Sequence, residues 1–312
     1  MTLSFNNKKM PPLRGFLALV IVLGHFSYFM EGTFVSAMTL AAPASVAFFL
    51  FISGYGLTCS IWKEGMPYLK TFLLSKIVRI VLPALLVVLL HALLCGRSGV
   101  VLHARARLVL ANGNTFLPHY WFVWTILYDY LLFYLSWRFL PRCWTKYVIL
   151  AGVLVFLSVT ILSGYDRCWW MCALSFPAGV FFAEYEQPVY SFVGRNNQSY
   201  WLTLLGLALL TALLFMAPVL WTRVIAYTVC PLFLTLCVAR LPLDKASLPV
   251  LGFLGAISYE IYLVHITMMS FLHSDVVWIA SKPLYMAAVF ASTILTAWLI
   301  HLLCGRLLRR VR

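Results

Sequence analysis

Ten apolar stretches follow one another along this chain, at about 13–30, 38–60, 77–95, 119–138, 147–163, 168–183, 200–216, 223–239, 251–271 and 284–304. Each is long enough, or nearly so, to cross a hydrocarbon layer about 30 Å thick as a helix. A 312-residue chain cannot hide that many such stretches in one water-facing core. Its residues are 63% hydrophobic and only 10% charged, against about a quarter charged in soluble domains. A soluble enzyme, a disordered protein and a single-anchor protein are all excluded. The predicted fold is all-α: a polytopic membrane protein of about ten transmembrane helices, with residues 1–312 forming one membrane-embedded domain.

The net charge of +14 would point to nucleic acid in a soluble chain. In a polytopic one it bears on orientation, because Lys and Arg near span ends collect on the cytoplasmic side; no nucleic-acid partner is expected. With the N-terminus in the cytoplasm, 17 of the 23 Lys and Arg fall inside and 6 outside. An even span count then puts both termini in the cytoplasm. The first stretch follows Lys8, Lys9 and Arg14 in the manner of a signal peptide. No small-residue cleavage site follows it, so it is read as the first span. The eight cysteines include no C-x-x-C pair and suggest neither a disulfide framework nor a metal site. The outer loop at about 96–118 carries Arg97, Arg105 and Arg107 against the charge bias. It is either an anion-holding segment or an ordinary solvated loop. No internal repeat and no linker to a second domain is evident.

Ionisable groups inside spans are costly and mark candidate functional positions. Arg14 and His25 are 11 residues apart, so a helix turns about 1100° and rises about 16 Å between them, bringing both to one face. An anion at Arg14 could place the far end of a long thin arm, such as pantetheine, beside His25. The plainer alternative is a snorkelling arginine and a hydrogen-bonded histidine. By helical rise, His25, Asp129 and His265 all fall in the middle third of the bilayer, which suggests a shared polar cavity. Ser258, Tyr262 and His265 share a helix face, whereas Glu260 points about 140° away from His265 toward a neighbouring helix. His91 and His301 read as structural. His119, Tyr120, Trp121 and Trp124 fit an outer aromatic belt or a substrate platform. Ser53-Gly54 permits close helix approach or a local break. Lys76, Arg79 and Pro83 open the third span, a basic cluster that either holds phosphates or obeys the charge bias.

At these residues the chain resembles the acyltransferase 3 family of integral-membrane acyltransferases. The likeness runs from Leu13-Arg14-Gly15 to His25, an R-x10-H element. It continues through Phe48-Phe49-Leu50-Phe51-Ile52-Ser53-Gly54-Tyr55, Lys76-Ile77-Val78-Arg79-Ile80-Val81-Leu82-Pro83 and His119-Tyr120-Trp121-Phe122-Val123. It ends at Gly255-Ala256-Ile257-Ser258-Tyr259-Glu260-Ile261-Tyr262-Leu263-Val264-His265. Two departures stand out: Pro11 occupies a position where the family usually has an acidic residue, and Asp129 stands where it often has Glu.

The resemblance implies transfer of an acyl group, commonly acetyl, from cytoplasmic acyl-CoA to a hydroxyl of a cell-surface or lipid-linked carbohydrate. The expected setting is a multi-pass protein of a bacterial cytoplasmic membrane, with no appended soluble domain and no metal. On this reading Arg14, Lys76 and Arg79 hold the phosphates of acyl-CoA. His25 serves as general base or accepts the acyl group transiently, and Asp129 orients it. Ser53, Trp121, Tyr262 and His265 line the acceptor side. His25→Ala and Arg14→Ala are each expected to abolish acylation in a folded protein. The rivals are a sugar or lipid-linked-glycan exporter, which also needs a polar midplane, and a membrane-bound O-acyltransferase of the other large fold. In the latter, Asp129 and His265 would stand in for the Asn/Asp-plus-His pair. The Arg14–His25 spacing favours the first reading.

Overall fold

A computed structural model describes residues 9–95, 117, 119–241 and 248–311; the 96–118 arginines therefore lie outside the described residues. The elements, in order, are α1 (Met10–His25), α2 (Thr33–Glu64), α3 (Pro67–Cys95), α4 (Trp121–Phe139), α5 (Arg142–Leu162), α6 (Ser175–Val193), α7 (Asn197–Met216), α8 (Leu220–Arg240), α9 (Pro249–Ala256), α10 (Ser258–Phe271) and α11 (Lys282–Val311). Short 3-10 turns at Phe26–Tyr28 and Arg167–Trp169 complete them. No strand occurs among the described residues, only an antiparallel bridge between His273 and Trp278.

The local signals are ordinary helix chemistry. Pro249 opens α9, where a missing N–H costs nothing. The Asn196 side chain caps α7 by accepting from the Ser199 N–H at 2.7 Å. Gly65, at φ +69°, makes the turn between α2 and α3 in a conformation that side chains disfavour. Pro43, Pro83, Pro188 and Pro231 lie inside helices, as membrane helices tolerate.

Each of the ten apolar stretches contains a helix. Seven are long and apolar enough to cross a membrane: α1 with its following turn, α2, α3, α5, α7, α8 and α11. The bent pair α9–α10 makes an eighth if counted as one span. α4 carries Asp129 among Tyr and Trp residues, and α6 carries Glu184 and Glu186, which lowers the hydropathy of both. Two expected spans are corrected. The stretch at 168–183 starts too early, since a 3-10 turn and further turns precede α6 at Ser175. The stretch at 251–271 is not one straight helix: α9 and α10 meet at 77°. Ile257, at φ −108° and ψ 15°, leaves the helical conformation, and the Ser258 hydroxyl donates to the Gly255 carbonyl at 3.0 Å.

The chain divides into two compact units, the boundary passing through α1 after its first residue and through α2, α3 and α4. The first comprises Met1–Met10, Pro43–Leu74 and Thr125–Ser247. Its core contains Phe48, Phe51, Phe72, Phe133 and Phe176, all fully buried. α2 crosses α6 at paired glycines: a Cβ on Gly54 would meet the Phe176 carbonyl, and one on Gly179 the Phe51 carbonyl. Thus Ser53-Gly54 serves close approach, with α2 continuous through it. Lys146 on α5 donates to Glu184 at 2.8 Å and to the Tyr185 hydroxyl at 3.0 Å on α6. Lys9 donates to the Val238 and Ala239 carbonyls at the end of α8.

The second unit comprises Pro11–Ala42, Ser75–Trp124 and Leu248–Arg312. Here α1 crosses α9 backbone to backbone. A Cβ on Gly15 would meet the Leu251 carbonyl and lie 2.9 Å from the Gly255 nitrogen; one on Gly255 would meet the Pro11 carbonyl. α10 packs on α11, where Tyr285 donates to the Met269 carbonyl at 2.9 Å. Glu260 turns to α11 as its helical angle requires, accepting from His301 Nδ1 at 2.8 Å. Glu260→Gln, which keeps an acceptor for His301, should alter stability by no more than about 1 kcal/mol, measured by thermal unfolding in detergent. Glu260→Leu, which removes that acceptor, should cost more.

Candidate active site

The second unit brings three histidines together from distant parts of the chain. His25 closes α1, His119 immediately precedes α4, and His265 sits midway along α10. The rings of His25 and His265 are 4.8 Å apart by centroid, and those of His265 and His119 5.0 Å. Tyr262 packs at 5.4 Å from His119 and 5.8 Å from His265, with Phe122 against it at 5.0 Å. His265 is fully buried and His119 nearly so, while His25 is half-buried.

Each imidazole has one ring nitrogen on a main-chain carbonyl. His25 Nδ1 lies 2.8 Å from the Ile21 oxygen, His265 Nδ1 2.6 Å from that of Tyr262, and His119 Nε2 3.0 Å from that of Leu263. A carbonyl oxygen only accepts, so those nitrogens donate. In the neutral ring the other nitrogen then carries the lone pair. For His25 that nitrogen is Nε2. The Tyr262 hydroxyl donates to the His119 carbonyl, so residues 119 and 262–265 are tied together by both main chain and side chains.

α1 is unbroken from Arg14 to His25, which keeps the helical register on which their shared face depends. Along α1, however, His25 stands at the end far from Arg14, only three residues before the helical segment stops at Tyr28. Arg14 and Lys76 are half-buried and Arg79 is exposed.

His119 and Tyr120 depart from the belt alternative. They are 2% and 5% exposed, not members of an interfacial belt; the His119 ring reaches the Leu263 carbonyl and the Tyr120 hydroxyl the Ala84 carbonyl at 3.1 Å. Trp121 is half-buried and Trp124 is 51% exposed. His91 Nδ1 lies 3.3 Å from the Thr267 hydroxyl.

Asp129 and Ser53 belong to the first unit. Asp129 is buried, and its Oδ2 has no hydrogen-bond partner among the described residues. The Ser53 hydroxyl donates to the Phe49 carbonyl at 2.8 Å, one turn back on its own helix. His25 Nδ1 is held by the Ile21 carbonyl. Among the described residues no group of His, Cys, Asp or Glu has the placement of a metal site.

A family model described as an acyltransferase domain matches residues 13–302, nearly the whole chain. The chain belongs to the acyltransferase 3 family. No match was found among curated proteins or among solved structures. Membership carries membrane acyltransferase activity, and the long apolar helices supply the matching membrane character. Within this acyltransferase the residue that the site reading missed is His119. Its sequence neighbours, Tyr120 and Trp121, are typical of an interface, and its partners Tyr262, Leu263 and His265 lie 143–146 positions away. The available signal was its place in one of the five family-like stretches, which a belt residue would not need.

Proposed function

We propose that this acyltransferase moves an acyl group, acetyl in the first instance, from cytoplasmic acyl-CoA to a hydroxyl of a cell-surface or lipid-linked carbohydrate. Residues 1–312 act as one domain with ten spans and both termini in the cytoplasm, in a bacterial cytoplasmic membrane. The observation that carries the reading is His25: Nδ1 is tied to the Ile21 carbonyl at 2.8 Å, leaving Nε2 with the lone pair. That is the geometry of a general base held in one tautomer, with a carbonyl in the place a carboxylate takes in catalytic triads.

In the direct route, His25 Nε2 takes the proton of the acceptor hydroxyl as its oxygen attacks the thioester carbonyl carbon. The C–S bond then breaks, and the departing thiolate recovers the proton from the same Nε2. An acyl-imidazole route uses that nitrogen as nucleophile instead. Arg14, with Lys76 and Arg79, binds the phosphates of the donor, and α1 spans about 16 Å between Arg14 and His25, a distance suited to a pantetheine arm. His265, Tyr262 and Trp121 serve the acceptor side. The proposal thus rests on second-unit residues, the orienting role passing from Asp129 to the Ile21 carbonyl.

Arg14→Ala should abolish acylation at sub-saturating acetyl-CoA by raising its KM about 10- to 100-fold, the loss of a charged hydrogen-bonding partner, with protein yield unchanged. Steady-state kinetics in nanodiscs checks this, and an unaltered KM contradicts the assignment. The 77° break between α9 and α10 is the one feature that favours a carrier, since transporters place sites at broken helices. Proteoliposomes separate the readings: a transferase consumes acyl-CoA, whereas an exporter moves solute without it.

A further inference from the structure

The three imidazoles are not equivalent. His119 and His265 are 2% and 0% exposed, and each uses its donor nitrogen on a carbonyl of α10. The nitrogens left with lone pairs are His119 Nδ1 and His265 Nε2. Both are buried, and neither has a hydrogen-bond partner among the described residues. A buried acceptor without a donor is unfavourable, and here two occur on rings 5.0 Å apart, one of them 4.8 Å from His25. The carbonyl contacts prevent either ring from turning to donate to the other without giving up its own bond.

Resting on the transferase reading above, we propose that His119 Nδ1 and His265 Nε2 form an acceptor-only subsite for hydroxyl groups next to His25. It receives O–H donors and supplies none, so it selects hydroxyls and rejects ether or carbonyl oxygens at the same position. The hydroxyls come either from the acceptor molecule, flanking the one that reacts, or from a bound water. His119 and His265 are then specificity-determining residues, and His25 alone handles the transferred proton.

Two variants delete the lone-pair nitrogens while keeping the bonds that tie the residues to α10. In His119→Gln the amide N–H replaces Nε2–H toward Leu263, and in His265→Asn it replaces Nδ1–H toward Tyr262. The assay uses acetyl-CoA as donor and methyl α-glucopyranoside as probe acceptor, with protein in nanodiscs. Each variant should raise KM for the glucoside about tenfold or more while KM for acetyl-CoA stays within about twofold, the spread expected where no contact to the donor is lost. A fall in kcat with both KM values unchanged assigns the subsite to water, whereas wild-type kinetics in both variants overturns it. A second measurement does not depend on turnover: ¹⁵N spectra of histidine-labelled protein, assigned with the same variants. His119 should appear as the Nε2–H tautomer and His265 as the Nδ1–H tautomer, with their acceptor nitrogens shifting when the glucoside is added. Opposite tautomers or imidazolium forms overturn the subsite. If wild-type protein transfers no acetyl group yet these nitrogens respond to the glucoside, the subsite stands and the transferase reading falls.

Discussion

His25→Ala should lower acyl transfer by about 10²- to 10⁴-fold, the usual range for a lost general base, with the protein still folded in the membrane. The side chain sits at the end of α1, is half-buried, and among the described residues its hydrogen bond is to a carbonyl of its own helix. Its removal costs the ring contact with His265 but no hydrogen bond to another element. His25→Asn sharpens the test, because an amide N–H can keep the bond to the Ile21 carbonyl while supplying no basic nitrogen at the Nε2 position. Both variants should be equally inactive in a thiol-release assay with acetyl-CoA. Substantial activity in His25→Asn would show that Nε2 is not the base.

The largest stability effect is expected at the α1–α9 crossing. A Cβ on Gly255 would collide with the main-chain carbonyl of Pro11, and one on Gly15 with that of Leu251. Backbone cannot change rotamer, so the two helices must separate. Gly255→Ala should cost about 3 kcal/mol or more, at the upper end of overpacking penalties, and should lower the thermal midpoint in detergent by several degrees. Gly56→Ala on α2 is the control: nothing lies within 4 Å of its Cβ position, so it should be neutral or slightly stabilising. The crossing also bears on activity. Gly15 follows Arg14 directly, so any shift of α1 on α9 moves Arg14 together with the His25 imidazole.

These elements differ in how far they could be read from the chain. The helices were legible because each is a long apolar run, and Glu260 could be aimed at a neighbouring helix because 100° per residue is a property of the α-helix itself. Arg14 and His25 could be set on one face for the same reason. The 77° break at Ile257 was hidden, since no proline or charge marks it. His119 was misplaced because an aromatic neighbourhood at a span end looks interfacial until tertiary contacts to Leu263 and Tyr262 bury it. The orienting group on His25 was sought among carboxylates. The structure shows a carbonyl one turn back on the same helix at His25 Nδ1, a partner that every helical histidine has within reach.

The most direct test is delivery of the acyl group itself. Cells carrying the wild-type protein, fed ¹³C-acetate to label acetyl-CoA, should carry labelled acetyl esters on an envelope glycan, detected by mass spectrometry and removed by mild base. Cells lacking the gene, or producing His25→Asn at equal membrane levels, should lack that mass. Labelled esters persisting at wild-type levels in the His25→Asn cells would contradict the account.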